Sequence, residues 1–518
     1  MRLRSQHLLR LLTVVLTSLA CHAPLHAQTD LTLEAQTTAT TGDNTPLWLN
    51  ANKYGLSSLK NTNGYVRASL INSQPTDSLH PLVFHYGLDV ALASRFPSTL
   101  IVQQAYGELQ WKKLLVTVGS KEQPLQLRNQ QLSSGSQTLG VNARPVPSVR
   151  LSAPEYWSIP GTKNYLAVKG FLSYGLQTDD NWQKDFTDAQ SKYTKHTIHH
   201  TKAGYLRIGN PKRTVTVEMG LEMGCLFGGT SYVFDQGDLI VVKNRSNLKA
   251  FFNAFVPGGG DNDEGIYKNK EGDHLGSYLL KLNIDKPTYH LGFYADHFFE
   301  DHSQMFFLDY DGYGEGEEYN EWKENRWLLY ELHDIMLGAE LHLKRTRWLT
   351  DAVCEYIYTK YQSGPVYHDR SPEMSDHIAG RDNYYNHGIY AGWQHWGQVL
   401  GNPLYRSPLY NSDGRIQVAD NRFWAWHFGL GGNPFSGFTY RLLASIQKGW
   451  GTYDAPFYAP ERNTSLLVEA SYAAPEQSQL HGWSLKAGWG LDHGKLLGNN
   501  MGAQLTLARK LNLNNKHK

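Results

Sequence analysis

The chain reads as an all-β protein, a transmembrane antiparallel β-barrel of about eighteen strands with long extracellular loops. Three observations predict this. Apolar and polar residues alternate with period two in segment after segment of the 518 residues. Several segments, such as 82–94 and 437–450, exceed the roughly 5–6 residues usual for globular strands. They suit strands tilted across a bilayer, which need about 9–11 residues. The connections also alternate between tight and long.

Composition closes off other classes. Lys and Arg number 49 against 48 Asp and Glu, a net charge of +1, so nothing draws the chain to nucleic acid. Aromatics at 12% exclude a disordered chain. Beyond the N-terminus no run of about 18 apolar residues suggests a membrane helix. No linker-like stretch or charge block divides the chain.

The first element is a targeting segment. Arg2, Arg4 and Arg10 precede the apolar run Leu11–Ala20, a pattern of export that is too short to span a bilayer. Cleavage after Ala27 makes 1–27 a signal peptide and 28–518 the barrel domain. Lipidation at Cys21 is the rival reading. Losing the three arginines takes the charge from +1 to −2. Cys225 and Cys354 are too few for a disulfide framework and read as single apolar residues.

Strand candidates then follow at 31–39, 64–72, 82–94, 100–111, 114–120, 148–153, 164–177, 198–209, 213–225, 274–284, 288–299, 334–344, 348–360, 423–432, 437–450, 464–473, 482–492 and 501–513. The even number suits a closed bacterial barrel. In 215–223, Val217, Met219 and Leu221 are expected to face lipid, with Glu218 and Glu222 in the lumen. Asp89 and Glu340 occupy the same polar face elsewhere, and this face suggests a wet lumen. Tight turns at Lys112-Lys113, Asn210–Lys212, Asp285–Pro287, Arg345–Arg347 and Asn433–Ser436 alternate with long segments at 121–147, 178–197, 226–273, 300–333 and 361–422. With the N-terminus inside, both termini are periplasmic and the long loops lie outside. Trp111, Trp157, Tyr356, Tyr358, Trp424, Trp426, Trp450, Trp483 and Trp489 stand where interfacial girdles form.

Candidate chemistry is sparse. Glu300-Asp301-His302-Ser303 holds hydrolase residue types, but neighbours on an extended chain point apart and cannot build a triad. His196, His199 and His200 do not converge as zinc requires. Asp261, Asp263 and Glu264 in GGGDNDEG lack EF-hand spacing, and Glu315, Glu317 and Glu318 likewise read as a solvated loop. Neither metal nor cofactor is implied, and no enzyme activity is expected. Segment 361–422 is richer, with aromatics beside amides and acids. Aromatic faces stack on sugar C–H groups while planar polar groups bind hydroxyls. Tyr384, Tyr385 and Trp393 are the candidate stacking residues. Asp382, Asn386 and His302 are the candidate hydrogen-bonding ones. The same aromatics serve equally well as a plug.

PLWLNANKYG (46–55), FYADHFFEDHS (293–303), EYIYTKYQSGP (355–365), RDNYYNHGIYAGWQHWGQVLGNPL (381–404) and GWGTYDAPF (449–457) together resemble the Wzi-type capsule assembly family of outer-membrane barrels. The resemblance implies an eighteen-stranded barrel with loops closing the pore. It also implies a lectin-like role, in which capsular or related surface polysaccharide is the partner and outer-membrane lipid the surroundings. Two departures stand out. The helical bundle that precedes the first strand in enteric relatives is expected to be missing. The C-terminus, Asn514–Lys518, lacks the terminal aromatic of the usual barrel-assembly signal. A channel or porin for small solutes or sugars is the alternative; large aromatic loops argue against it, because a channel keeps its constriction charged and small-sided. A barrel hydrolase is a third reading.

Overall fold

The computed structural model describes residues 28–73, 81–235, 237–256, 272–300, 309–314, 316–318, 321–328, 333–362, 366–368, 377–379 and 382–513. The export segment with Cys21, the acidic residues 261–264 and His302 lie outside them.

Among the described residues, eighteen antiparallel strands form one sheet that closes on itself. They are β1 (Gln28–Thr41), β2 (Thr62–Ser73), β3 (Leu82–Ser94), β4 (Leu100–Trp111), β5 (Leu114–Ser120), β6 (Ser148–Ser158), β7 (Leu166–Leu176), β8 (Ile198–Ile208) and β9 (Val215–Phe227). Then come β10 (Asp273–Asp285), β11 (Tyr289–Glu300), β12 (Ile335–Leu343), β13 (Asp351–Tyr358), β14 (Phe423–Gly432), β15 (Phe438–Gly451), β16 (Pro456–Ala473), β17 (Trp483–Gly494) and β18 (Asn500–Asn512). Each strand pairs with the next, and β1 pairs with β18 from Asp30↔Asn512 to Thr41↔Met501. Closure removes the open sheet edge that would leave backbone groups unpaired in lipid. Every strand candidate from the sequence corresponds to one of these strands.

Alternation sets the two faces as expected. On β9, Met219 and Leu221 are 46% and 37% exposed, whereas Glu222 is buried. On β3, Leu82, Phe84 and Leu92 face outward, while Asp89 is buried and paired with Arg67. Trp111, Trp157, Trp426 and Trp489 are likewise exposed on the apolar exterior.

The inner face corrects one expectation. It is polar but, over much of its height, not wet. Loops from the long-loop end fold into the barrel, and one hydrophobic cluster joins Leu47, Trp48 and Leu49, Leu132, Tyr384–Tyr405 and the wall residues Phe298, Met336, Ile357 and Phe423. Irregular backbone is tolerated at this depth because protein surrounds it.

Three short α-helices are described: α1 (Leu47–Asn50), α2 (Asp180–Phe186) and α3 (Leu248–Phe255). The first sits inside against β16–β18. Short ribbons at Tyr193–Lys195 with Thr230–Asp235 and Asp238–Lys243, and at Gln394–His395 with Gln398–Val399, complete the loop structure near the site.

Candidate functional site

The plug is built by matching wall carboxylates to loop amides and hydroxyls. Segment 121–147 is rich in Ser, Gly, Gln and Pro and forms no regular element, so its backbone N–H groups need acceptors elsewhere. The wall supplies them. Glu355 of β13 accepts from Ser133 Oγ at 2.6 Å and Ser134 N at 2.8 Å. Asp296 of β11 accepts from Gln137 N at 3.1 Å and Arg128 Nη2 at 2.8 Å. Glu222 of β9 accepts from Ser136 Oγ at 3.1 Å. A buried carboxylate costs several kcal/mol unless its lone pairs are filled. The inner-face acids therefore hold this loop in place.

Segment 382–422 packs against it. Tyr384, Tyr385 and Trp393 are wholly buried. Tyr384 donates to Asp334 Oδ2 at 2.8 Å and packs edge-on against Phe298. Tyr385 donates through its hydroxyl to the Gln137 carbonyl, and its N–H donates to Glu300 Oε2 at 2.8 Å. Trp393 donates to the Thr138 carbonyl at 2.9 Å and stacks on His199. A Cβ at Gly224 would collide with the Trp393 ring, so the wall has a glycine where the indole seats. The three rings thus form the plug's core and present no open face to a ligand.

The polar candidates divide. Asn386 donates to the Val418 carbonyl at 2.9 Å and accepts from Val418 N at 2.8 Å, so its amide braces the loop. Asp382 accepts from Asn383 N at 2.8 Å. Asn386 also lines a groove of about 550 Å³ open at the long-loop end, together with Lys192, Phe234, Asn383, Arg415 and Gln417. The structure brings Tyr384, Tyr385, Asp382 and Asn386 into one loop, but places rings and amides in different environments. The sequence reading missed Lys192, Phe234 and Arg415. They come from separate loops, and no local pattern marks them. Segment 121–147 was also missed as plug, although its run Ser133–Thr138 of small polar residues was a signal.

Burial dominates the titrations here. It pushes Lys192 down to about 8. His387 is pushed down to about 3 by burial, and next by Lys192 and His274. His387 Nδ1 accepts from Ile389 N at 2.9 Å and Tyr390 N at 3.1 Å, which requires that nitrogen to be unprotonated. Burial also raises Asp334, and takes Asp420 up to about 7.

The three histidines are set apart. His196 lies in the turn before β8, His199 faces the lumen and His200 faces outward. Among the described residues, no three His, Cys, Asp or Glu side chains gather as metal ligands. Cys225 and Cys354 are not joined in a disulfide.

A barrel of this form is known among solved structures. The chain is similar to Wzi of Escherichia coli, an outer-membrane protein involved in group 1 capsule assembly and described as a carbohydrate-binding β-barrel. The two share 12% identity at a TM-score of 0.53, over 92% of this chain and 83% of that one. It is also similar to OccAB4 of Acinetobacter baumannii, with 12% identity and a TM-score of 0.47 over 95% and 100% of the two chains. OprD of Pseudomonas aeruginosa gives 10% identity and a TM-score of 0.42 over 94% and 95%. No family model and no curated protein sequence matches the chain. The likeness to Wzi is one of barrel fold.

Proposed function

We propose that this chain is an exported outer-membrane protein of the Wzi type, which holds capsular or related surface polysaccharide at the cell surface without catalysing a reaction. The observation that carries the reading is the pairing of a lumen filled by wall-bonded loops with a polar groove open at the long-loop end. A filled lumen serves a conducting pore poorly. A groove with amides, two cations and the Phe234 ring offers the planar donors and the stacking face that sugars use. The carbohydrate-binding description of Wzi supports the same reading. Aromatic stacking contributes on the order of 1 kcal/mol beyond area, so single contacts stay weak and a long polymer is held through multivalency.

A channel for small solutes or sugars is the second reading. A cavity between segment 121–147 and β5–β8, lined by Lys121, Arg150, Thr117 and Thr201, favours it.

The test is a gene deletion complemented with the parent or with a Phe234→Ala, Arg415→Ala variant, followed by measurement of cell-bound and shed polysaccharide. Deletion is expected to shift polysaccharide from cells to medium, with the variant intermediate. Unchanged retention in the deletion strain would sink the attachment reading.

A further inference from the structure

The loop between β9 and β10 carries the helix α3, and this helix lies on the outside of the barrel. The exterior positions of β9 continue upward from Met219 and Leu221 to Met223, Cys225 and Phe227. Opposite Met223 stands Lys202, and opposite Cys225 stand His200 and His274. Directly paired antiparallel residues share a face, so a cation and two imidazoles look outward near the rim. Aliphatic side chains would be expected there. Instead α3 covers them. Ala250 and Ala254 pack on Cys225 and Phe227, and Phe251 meets the Tyr174 and Phe227 rings at 5.2 and 5.1 Å.

The seating is specific. Asn247 caps the helix by accepting from Ala250 N at 3.0 Å. The Tyr174 hydroxyl donates to the Phe251 carbonyl at 2.8 Å. Lys202 Nζ donates to the terminal carbonyls of Ala254, at 3.2 Å, and Phe255, where a cation also complements the helix dipole.

The other side of α3 is apolar and bare. Leu248 is 89% exposed and Phe252 62%, with Phe255 and Val256 exposed beside them. Their spacing, i, i+4, i+7 and i+8, draws one stripe. A helix that is apolar on both flanks needs cover on both. One cover is the barrel wall. The stripe also continues the exposed apolar band of the same wall, at Met219, Leu221, Leu280 and Phe293. Lys249 and Arg245, both exposed, border the helix start, as basic residues do on interfacial helices.

We infer that α3 is a lipid-contacting surface: its Leu248–Phe252–Phe255–Val256 face inserts among the acyl chains of the leaflet at the long-loop end, replacing the apolar side chains that the strands lack there. The inference rests on the membrane-spanning reading of the barrel.

The experiment uses the full mature chain in nanodiscs, with Cys354→Ser as background and an environment-sensitive fluorophore attached through Phe252→Cys, Leu221→Cys or Ser412→Cys. Doxyl-labelled lipids serve as quenchers. The fluorophore at 252 is expected to emit blue-shifted and to lose as much intensity to doxyl lipid as the one at 221, while the one at 412 stays water-like. Water-like, unquenched emission at 252 with quenching at 221 overturns the inference and leaves the membrane reading standing. Loss of quenching at both 252 and 221 overturns both. Blue-shifted emission at 252 without quenching, with cross-linking between copies through that position, overturns it in favour of self-association.

Discussion

Trp393 shows how a residue chosen for one role can occupy another. An indole among amides suggests a sugar platform, yet its ring is wedged between His199, Gly224 and the Thr138 carbonyl. Its substitution should therefore act on packing. Trp393→Ala removes a wholly buried ring, a change that costs roughly 3–5 kcal/mol in a close-packed core. The expected result is a loosened plug in an intact barrel, read as faster protease cleavage within 382–422. Parent-like resistance would show that the ring is not part of the plug core.

His387 ties the plug to pH. Its folded value of about 3 lies below the ordinary value of about 6.5. A depressed value on a base means the folded plug binds fewer protons than the opened one. The His387 contribution is therefore intact above about pH 6.5 and is lost as pH falls toward 3. Asp334 and Asp420 are raised by burial, so acidification favours the folded plug at those two sites. Comparison with His387→Asn, which keeps an acceptor for the Ile389 and Tyr390 N–H groups but cannot titrate, isolates the histidine. The parent should gain protease sensitivity between pH 6.5 and 4 relative to the variant. Parallel pH profiles would count against the assignment.

At the scale of elements, strands and plug differ in how openly the sequence states them. Val215, Met219 and Leu221 announce β9 because lipid on one side and protein on the other impose period two. The inward Glu222, Asp296 and Glu355 are equally legible as inward. Their partners are not, because Ser133, Ser134, Ser136 and Gln137 lie far away in sequence and meet them only when the barrel closes. Segment 121–147 is the element to remove. Replacing 126–140 by a short Gly-Ser link strips Glu355, Asp296 and Glu222 of their plug donors. The intact protein should pass little current in a planar bilayer, and the deletion should conduct. Removing 366–400 alone should open the pore less, since segment 121–147 would keep its wall bonds. Large stable conductance in the intact protein would refute the closed plug and favour the channel reading.

For the whole molecule, closure is the decisive event. Pairing β1 with β18 gathers loops separated by hundreds of residues into one lumen, with Trp48 donating to Ser445 Oγ at 3.2 Å and Leu47 N to Asp492 Oδ2 at 3.0 Å. The sequence alone determined the strands, their number, their lipid-facing side and the side on which the long loops emerge. Each of these follows from residues near one another in the chain meeting lipid or protein with period two. Tertiary structure alone decided which aromatics are plug and which groups line the open groove. It placed Tyr384, Tyr385 and Trp393 inside, brought Lys192, Phe234 and Arg415 together, and laid α3 on the outer wall. Those outcomes depend on contacts between distant loops, and no period or local composition encodes which loop meets which wall.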